Sequence, residues 1–388
     1  MPPDTASRLV IPLLSAANFV IGMGAFMVIG ALAPVAEDLG IDPATAGRLM
    51  IFYAIGYALL SPLLVALTGR IGRRRVLALG MAIFALANLI AALAPGPDTL
   101  FASRVLAAAG AGLLTPVAAG VAATLSAPER RASALSAVFF GLTLSQVAGV
   151  PAGGFIAYTF GWRAAFALVA LLSLPFVALI WFRVPAGLRV PPVSLGDLGR
   201  TLVSPRLLIA LLFTCVFTGA TYVVFTYISP LLGTRMGFGR DGITAYLLAC
   251  GFGAVAGNLL GGWLCDRIGP ARTLGLLTLV QATLLPWFSY LPLPAALLFF
   301  LGFAWSAFGW SFNAPQQMRL ITLDPGRASV LLALNAAGIY IGSALGSWAG
   351  GAILAARGLD ALGLAACLGA IAALGVLILG EWASRRPA

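Results

Sequence analysis

The apolar positions of this chain fall into long runs that are separated by short polar turns. A membrane-spanning helix needs about 20 predominantly apolar residues, and the runs are about that long or longer. The pattern predicts an all-α polytopic membrane protein with twelve transmembrane helices, six in each half. They lie at residues 9–35, 44–68, 76–95, 98–124, 131–158 and 163–184, and at 206–232, 242–265, 272–291, 294–320, 328–355 and 359–382.

The longest polar connection lies near the middle of the chain. Residues 183–205 contain four prolines, which do not continue a helix. We therefore predict an N-terminal six-helix bundle at residues 1–184, a linker at 185–205 and a C-terminal six-helix bundle at 206–388.

The composition excludes a soluble globule and gives no sign of a cofactor. Hydrophobic residues make up 61% of the chain and charged residues 9%, whereas soluble domains are about a quarter charged. The net charge of +11 does not indicate nucleic-acid binding, because the arginines fall in short turns between apolar runs. Histidine is absent and no C-x-x-C pair exists, so we predict neither a metal nor another cofactor.

The distribution of arginine predicts the orientation, because cytoplasmic turns carry an excess of basic residues. Seventeen of the 23 basic residues fall on one side of the predicted topology and five on the other, with Arg104 inside a helix. The densest cluster puts four arginines within residues 70–75. The excess predicts a multi-pass membrane protein with both termini and the linker in the cytoplasm.

The two halves repeat each other at a spacing of 197 residues. When the second half is shifted by 197 residues, its arginines align with arginines of the first half at several separate positions. Two glycine-rich helices could align by chance, but these arginines would not. Two repeated bundles with a binding site between them at mid-membrane are a design of secondary transporters. The coinciding residues are Arg70, Gly72 and Arg75 with Arg267, Gly269 and Arg272, Arg130 with Arg327, and Gly149, Gly153 and Gly154 with Gly346, Gly350 and Gly351.

Several motifs resemble those of the major facilitator superfamily of secondary transporters. G-R-I-G-R-R at 69–74 and G-W-L-C-D-R-I-G at 262–269 match its loop motif after helices 2 and 8. Arg104 with Gly110 and Gly112 is similar to a helix 4 motif of the drug-efflux branch, and G-V-P-A-G-G at 149–154 to a helix 5 motif of exporters.

Finer features resemble the arabinose-efflux-permease type of that branch: F-T-Y-I-S-P at 225–230, G-W-R at 161–163 and L-N at 334–335. The resemblance implies the major facilitator fold, with a cavity lined by helices 1, 4, 7 and 10. It also implies alternating access and the export of a sugar, a nucleoside, a purine or a chloramphenicol-like drug.

Polar and aromatic residues on these helices and their neighbours are the predicted substrate-binding residues, because polar side chains in a membrane face a cavity or another helix. Hydrogen bonds between helices explain any single member equally well. The set suits a moderately polar or aromatic solute. Its members are Asn18, Met23, Phe26, Tyr57, Arg104, Gln146, Tyr222, Tyr227, Trp310, Asn313, Asn335 and Tyr340.

Arg104 lies about six residues into helix 4, so roughly 9 Å from the helix end at 1.5 Å per residue. An arginine at that depth needs a carboxylate, backbone carbonyls or an anionic ligand. Two interpretations stay open: a structural arginine bound to helix 1 carbonyls, or a residue that binds substrate. The second leads to an alternative function, a uniporter or exchanger of a small organic anion.

The acidic residues leave proton coupling in doubt. All twelve lie at or beyond the ends of predicted helices. Proton antiporters of the branch that the chain resembles often carry an acid in helix 1, whereas I-G-M-G-A-F at 21–26 has none. We expect any proton dependence to act through Asp38 or Asp42 at the periplasmic rim, or through the substrate's own protonation. Otherwise the protein is a facilitator or an exchanger.

Other classes of function fit less well. A membrane enzyme needs a nucleophile–base pair or a metal cluster, and the sequence shows neither. A receptor that does not transport is disfavoured because no soluble domain is appended. The expected partners are a small-molecule substrate and the lipid bilayer, without nucleic acid, and the expected oligomeric state is a monomer.

The loop motif also predicts a conformational latch. The family motif has an aspartate before its first arginine; the second copy keeps it as Asp266, and the first has Gly69. We expect Asp266, next to Arg267, to pair with Arg130 or Arg131 when the cavity opens outward. Arg70 and Arg327 belong to the other copy, which lacks the acid. A one-sided latch predicts a bias toward the inward-open state.

Overall fold

The computed structural model describes residues 3–127, 130–188 and 203–385, and all of its regular elements there are helical. The first half forms α1 (Pro3–Leu39), α2 (Pro43–Leu67), α3 (Arg73–Ala92), α4 (Pro97–Leu125), α5 (Arg131–Leu144 and Val150–Phe160, joined by the π-helical turn Ser145–Gly149) and α6 (Trp162–Arg183). The second half forms α7 (Pro205–Phe225 and Ile228–Met236), α8 (Arg240–Ile268), α9 (Pro270–Leu284), α10 (Ala295–Trp310 and Asn313–Leu323), α11 (Ala328–Arg357) and α12 (Ala361–Arg385).

Eleven of these twelve helices are long and apolar enough to cross a membrane. The exception is α9, which was predicted at 272–291 and ends as an α-helix at Leu284, followed by the 3₁₀ turn Leu285–Ser289. Pro286 explains the early end, because a proline has no N–H for the helical hydrogen bond and clashes with the preceding turn. The predicted all-α polytopic fold class is confirmed.

The chain forms two compact units. The first contains Met1–Val35 and Phe52–Val193, and the second contains Ala36–Ile51 and Ser194–Ala388. Most of the predicted linker, residues 189–202, lies outside the described residues. The predicted domain boundaries therefore stay a prediction.

Three helices that the sequence predicted as continuous are interrupted, each shortly before a proline. The break in α7 includes Thr226, four residues before Pro230, and the break in α10 includes Ser311, four residues before Pro315. In α5 the π-helical turn comes directly before the segment that contains Pro151. A proline ring clashes with the carbonyl four residues earlier and removes one helical hydrogen bond, which favours an interruption at these points.

Pro116 lies inside α4 without breaking it. Because Pro116 has no N–H, the carbonyl of Gly112 loses its helical donor. The hydroxyl of Ser61, in α2, donates to that carbonyl at 2.8 Å. In a membrane each freed backbone group needs such a partner, so this contact lets the proline stay in the helix.

The repeated glycines make equivalent contacts in the two units. A Cβ added at Gly153, in α5, would lie 2.4 Å from the Cβ of Met27 in α1. A Cβ added at Gly350, its counterpart in α11, would lie 2.7 Å from the carbonyl oxygen of Val223 in α7. Small residues therefore let α5 approach α1, and α11 approach α7, as is common between membrane helices.

Large apolar side chains are exposed on the outside of the helices. Leu59, Phe160, Leu259, Phe300 and Leu368 are each 66% to 74% exposed. Such a surface would aggregate in water but matches the hydrocarbon of a bilayer.

Candidate functional site

A pocket lies in the second unit, between α7, α10 and α11. Its empty volume is about 430 Å³, open solvent included. Aromatic rings form most of its wall, and hydroxyl groups form most of the rest. The lining residues are Phe217, Thr218, Thr221, Tyr222, Phe225, Trp305, Ser306, Gly309, Trp310, Phe312 and Ile339.

The aromatic rings of the pocket support one another. The ring centroids of Phe217 and Phe312 lie 5.0 Å apart, and those of Phe225 and Trp305 lie 5.6 Å apart at 71°. Tyr222 packs edge-on against Phe225 at 5.7 Å. Tilted and edge-on pairs at these distances are favourable, so the wall is held in place before a ligand arrives.

The break in α10 shapes this wall. Phe312 lies in the break and is only 2% exposed. Ser311, beside it, donates its hydroxyl hydrogen bond to carbonyls of Gly257 and Ala307, both at 2.7 Å. The hydroxyl thereby ties the break, in which Phe312 lies, to α8.

The polar groups of the pocket are neutral, and some lack a partner. Its lining contains no Asp, Glu or Arg. The hydroxyls of Thr218 and Ser306 donate to the carbonyls of Thr214 and Cys250, both at 2.6 Å. Among the described residues, neither the Tyr222 hydroxyl nor the buried indole N–H of Trp305 forms a hydrogen bond. The Tyr222 hydroxyl can therefore bind a solute or water, whereas the indole N–H of Trp305 is enclosed by protein atoms.

A polar network lies one helical turn away from this pocket. The hydroxyl of Thr214 donates to Asn335 Oδ1 at 2.6 Å, and Gln316 Nε2 donates to Thr214 Oγ1 at 2.9 Å. These three residues precede Thr218 and Ile339 by four positions and follow Phe312 by four. The network joins α7, α10 and α11 one helical turn away from the wall of the pocket.

The first unit has a polar contact of its own between α1 and α4. The hydroxyl of Thr115 donates to Asn18 Oδ1 at 2.7 Å, and Asn18 Nδ2 donates to the carbonyl of Leu14 at 3.2 Å. Gln146 lies in the π-helical turn of α5 and is 8% exposed. Its amide forms no hydrogen bond within the described residues. π-Helical turns often occur at functional sites.

Arg104 is enclosed within the first unit and is only 1% exposed. Its Nη1 donates to the carbonyl of Gly24 at 2.8 Å, and its Nη2 donates to that of Ala25 at 2.7 Å. Its guanidinium carbon lies 4.6 Å from the ring centroid of Tyr53 and 5.9 Å from that of Phe166. Two carbonyls and two ring faces thus surround the cation, as expected of a residue that joins α4 to α1.

The family follows from a comparison with known proteins. The model of the Major Facilitator Superfamily matches residues 14–347. The chain belongs to this superfamily. It is therefore a member of a family of membrane transporters.

Curated relatives agree with the drug-efflux branch of the superfamily. The inner membrane transport protein YdhP of Escherichia coli (strain K12) is 33% identical over 349 residues, 89% of each chain. The chloramphenicol resistance protein of Streptomyces lividans is 35% identical over 267 residues, 68% of each chain. The putative transporter AraJ of Escherichia coli (strain K12) is 26% identical over 343 residues, 88% of this chain and 86% of AraJ. The predicted branch is confirmed.

Solved structures share the major facilitator fold. A bacterial homologue of the human lysosomal transporter Spinster, at 18% identity, aligns with a TM-score of 0.78 over 100% of both chains. The nucleoside transporter NupG, at 13% identity, aligns with a TM-score of 0.76 over 98% of this chain.

The predicted substrate-binding residues of this major facilitator protein fall into four groups. Tyr222 and Trp310 line the pocket, and Asn335 belongs to the network beside it. Tyr227 is fully buried, and its hydroxyl donates to the carbonyl of Ser347 at 2.8 Å, which places it in the contact between α7 and α11. Asn313 and Tyr340 are half-buried outside the pocket lining. The rest lie in the first unit: Asn18, Met23, Phe26, Tyr57, Arg104 and Gln146.

Sequence reasoning missed the apolar half of the pocket. Phe217, Thr221 and Phe225 share one face of α7 at a spacing of four residues, and this periodicity was available in the sequence. Phe312 carried no comparable signal, because its position depends on the break in α10.

The predicted latch residues are exposed and lie at or near the ends of helices. The guanidinium carbon of Arg267 lies 4.4 Å from the ring centroid of Trp263, and Arg327 pairs with Asp324 at 3.6 Å. Arg70, Arg130, Arg131 and Asp266 are exposed as well. Arg327, whose latch counterpart is Gly69 in place of an acid, thus pairs with Asp324 close by in the chain. The latch itself stays a prediction.

Of the two rim carboxylates, Asp42 is a helix cap. Its Oδ1 accepts from the backbone N–H of Thr45 at 2.9 Å, and its Oδ2 accepts from the Thr45 hydroxyl at 2.6 Å. The hydrogen bond from the Thr45 side chain, followed by the one from its backbone, lowers the pKa of Asp42 below its usual 3.8. These hydrogen bonds favour the charged form of Asp42, which disfavours it as a proton carrier. A role of Asp38 or Asp42 in proton coupling stays a prediction.

We expect Asp42→Asn to leave the pH profile of transport unchanged between about pH 5.5 and 8. A lowered folded-state pKa stabilises the protein above the unfolded-state pKa of about 3.9, and this contribution is lost only as the pH falls through the lower value. Transport into proteoliposomes at imposed pH gradients measures this profile, with Asp38→Asn as the matched variant. A profile that becomes flat in Asp42→Asn would contradict the expectation.

Proposed function

We propose that this major facilitator protein is a secondary active transporter that exports a small, uncharged, ring-bearing organic solute by alternating access. The pocket of the second unit carries this proposal, because rings and neutral hydroxyls line it and no charged side chain does. Ring faces stack on a flat solute, and the Tyr222 hydroxyl, which has no partner within the described residues, can bind one of its polar groups.

Among the solutes considered, an amphenicol-like compound fits these features best. It combines an aromatic ring with hydroxyl and amide groups and carries no charge. The similarity to a chloramphenicol resistance protein supports the same choice. Nucleosides share the ring and the hydroxyls. Simple sugars have no aromatic face on which the aromatic side chains of the pocket could stack.

The orientation and the latch belong to the same proposal. We place the protein in a bacterial inner membrane, which the similarity to an inner membrane transport protein of Escherichia coli supports. The excess of arginine on one side supports a cytoplasmic position of both termini. Alternating access then requires a contact that holds the cytoplasmic side closed, and we propose the pair of Asp266 with Arg130 or Arg131. An outward-open structure in which Asp266 is unpaired would refute this part.

Ligand binding to purified protein tests the pocket. We expect a neutral amphenicol or nucleoside to raise the melting temperature, and benzoate and arabinose to have little effect. Trp310→Ala should weaken binding of the active solute about tenfold, because it removes a stacking surface. Tyr222→Phe should weaken it about threefold to tenfold without changing the melting temperature of the free protein, because its hydroxyl has no partner within the described residues.

Trp287→Ala serves as the control. Trp287 is 49% exposed in the turn after α9 and does not line the pocket, so its loss should leave binding unchanged. Tighter binding of benzoate than of any neutral solute, or wild-type binding in Trp310→Ala, would contradict the proposal.

A further inference from the structure

One end of the first unit carries a dense cluster of arginines. Arg74 and Arg75 lie in the first turn of α3, Arg70 lies in the turn before it, and Arg183 ends α6. The backbone N–H of Arg73 donates to the carbonyl of Leu188 at 3.3 Å, which ties the start of α3 to the chain after α6. We call Arg70, Arg74, Arg75 and Arg183 the arginine end.

Arg74 is held against an aromatic ring at this end. Its guanidinium carbon lies 4.9 Å from the ring centroid of Trp181, in the last turns of α6. Stacking uses the face of the guanidinium and leaves its N–H groups for hydrogen bonds around the edge. Arg74 is thus pre-organised as a donor for an oxyanion, with less side-chain entropy left to lose on binding.

The arginine end lacks an anionic partner. Within the described residues of the first unit, none of Arg70, Arg74, Arg75 and Arg183 forms an ion pair. Asp98 begins α4 and lies beyond the opposite end of α3. The cluster therefore holds positive charge that no described carboxylate of this unit neutralises.

The repeat supplies an internal comparison. In the second unit the corresponding loop has one acid, Asp266, with the two arginines Arg267 and Arg272. In the first unit Gly69 replaces the acid, and four arginines follow within six residues. Both loops stack an arginine on a tryptophan, but only the first combines the stack with a large excess of positive charge.

We propose that the arginine end binds the headgroup of an anionic phospholipid. It lies at the ends of two helices that are long enough to cross a membrane, which is where headgroups lie. Trp181 and Phe182 are 43% and 79% exposed beside Arg183, so apolar surface for the upper acyl chain adjoins the cations. Arginines bind phosphate strongly, and each basic residue near an anionic membrane surface contributes about 1 kcal/mol.

Native mass spectrometry of the full chain tests this proposal. The detergent-purified protein is titrated with phosphatidylglycerol and with phosphatidylcholine of the same acyl chains, and we expect tighter binding of phosphatidylglycerol. Arg74→Gln should weaken it about fivefold, and Arg74→Gln with Arg75→Gln about 25-fold, without changing the binding of phosphatidylcholine. Trp181→Leu should weaken it as well, whereas Trp181→Phe keeps a ring and should not.

Arg267→Gln is the matched control, because Arg267 is also stacked on a tryptophan but follows Asp266. We expect it to change the affinity for phosphatidylglycerol less than twofold. Wild-type affinity in Arg74→Gln, or an equal loss in Arg267→Gln, would overturn the proposal. Full displacement of the lipid by millimolar glycerol phosphate would also overturn it, because the site would then bind a soluble anion. Melting temperatures in phosphatidylcholine show that each variant is folded.

Discussion

Arg104→Gln is expected to lower the melting temperature clearly and to reduce transport of neutral and anionic solutes by the same factor. The guanidinium holds two α1 carbonyls at 2.8 and 2.7 Å and lies against the ring faces of Tyr53 and Phe166. A glutamine is shorter and neutral, so it cannot reach both carbonyls or replace the cation against the rings. Hydrogen bonds from a charged donor contribute about 1.5–3 kcal/mol each, and we expect a net loss of about 2–3 kcal/mol after the desolvation of the cation is discounted.

Arg104→Lys separates this structural role from anion binding. A lysine keeps the charge but lacks the planar fork that spans two carbonyls and stacks on a ring. If Arg104 joins α4 to α1, Arg104→Lys should be nearly as unstable as Arg104→Gln. If it binds an anionic substrate, Arg104→Lys should keep anion transport and Arg104→Gln should lose anions alone.

The control for both variants is Arg357→Gln, which removes the same charge from an exposed position at the end of α11. It should leave the melting temperature and transport unchanged. Selective loss of anion transport in Arg104→Gln, at an unchanged melting temperature, would show that Arg104 binds substrate.

Gly261→Ala should destabilise the protein strongly, while Gly262→Ala, one residue further along the same helix, should not. A Cβ at Gly261 would lie 2.1 Å from the carbonyl oxygen of Ser311 and 2.8 Å from its carbonyl carbon. These are backbone atoms, so α8 and α10 would have to separate. Overpacking of this kind typically costs about 1–3 kcal/mol, and we expect the upper part of that range.

Gly262 is the matched control because an added Cβ there meets nothing within 4 Å. Alanine also has the higher helix propensity, so Gly262→Ala should be neutral or slightly stabilising. Melting temperatures of the two variants in one detergent measure the difference. Separation of α8 from α10 would also move the break at Ser311, so Gly261→Ala should weaken ligand binding in the pocket as well. Equal melting temperatures for the two variants would contradict the packing of α8 against α10.

Much of the fold could be predicted from the sequence because its signals are local. Apolar runs of bilayer length gave twelve helices, and the 197-residue repeat paired glycines that make equivalent contacts in both units. The interruptions were missed even though Pro151, Pro230, Pro286 and Pro315 were visible. A proline alone does not decide whether a helix is interrupted. Pro116 stays in a continuous helix, because the hydroxyl of Ser61 donates to the freed carbonyl of Gly112.

The site was predicted less well because residue type does not reveal what a side chain contacts. Tyr222 and Tyr227 lie five residues apart on one helix and read alike in the sequence. Tyr222 lines the pocket, whereas the hydroxyl of Tyr227 donates to Ser347. The choice between them depends on the direction of α7 after its break and on the position of α11.

By itself, the sequence determined the membrane fold, the repeat, the family and the branch, because hydropathy, helix breakers and short motifs act over a few residues at a time. Only the tertiary structure decided which polar groups are already satisfied. It placed Arg104 on two α1 carbonyls, made Asp42 a helix cap and left the rings of α7 and α10 around an uncharged pocket. A membrane interior has no water to satisfy a buried polar group, so its role depends on the neighbour that each helix presents to it, and packing alone sets that neighbour.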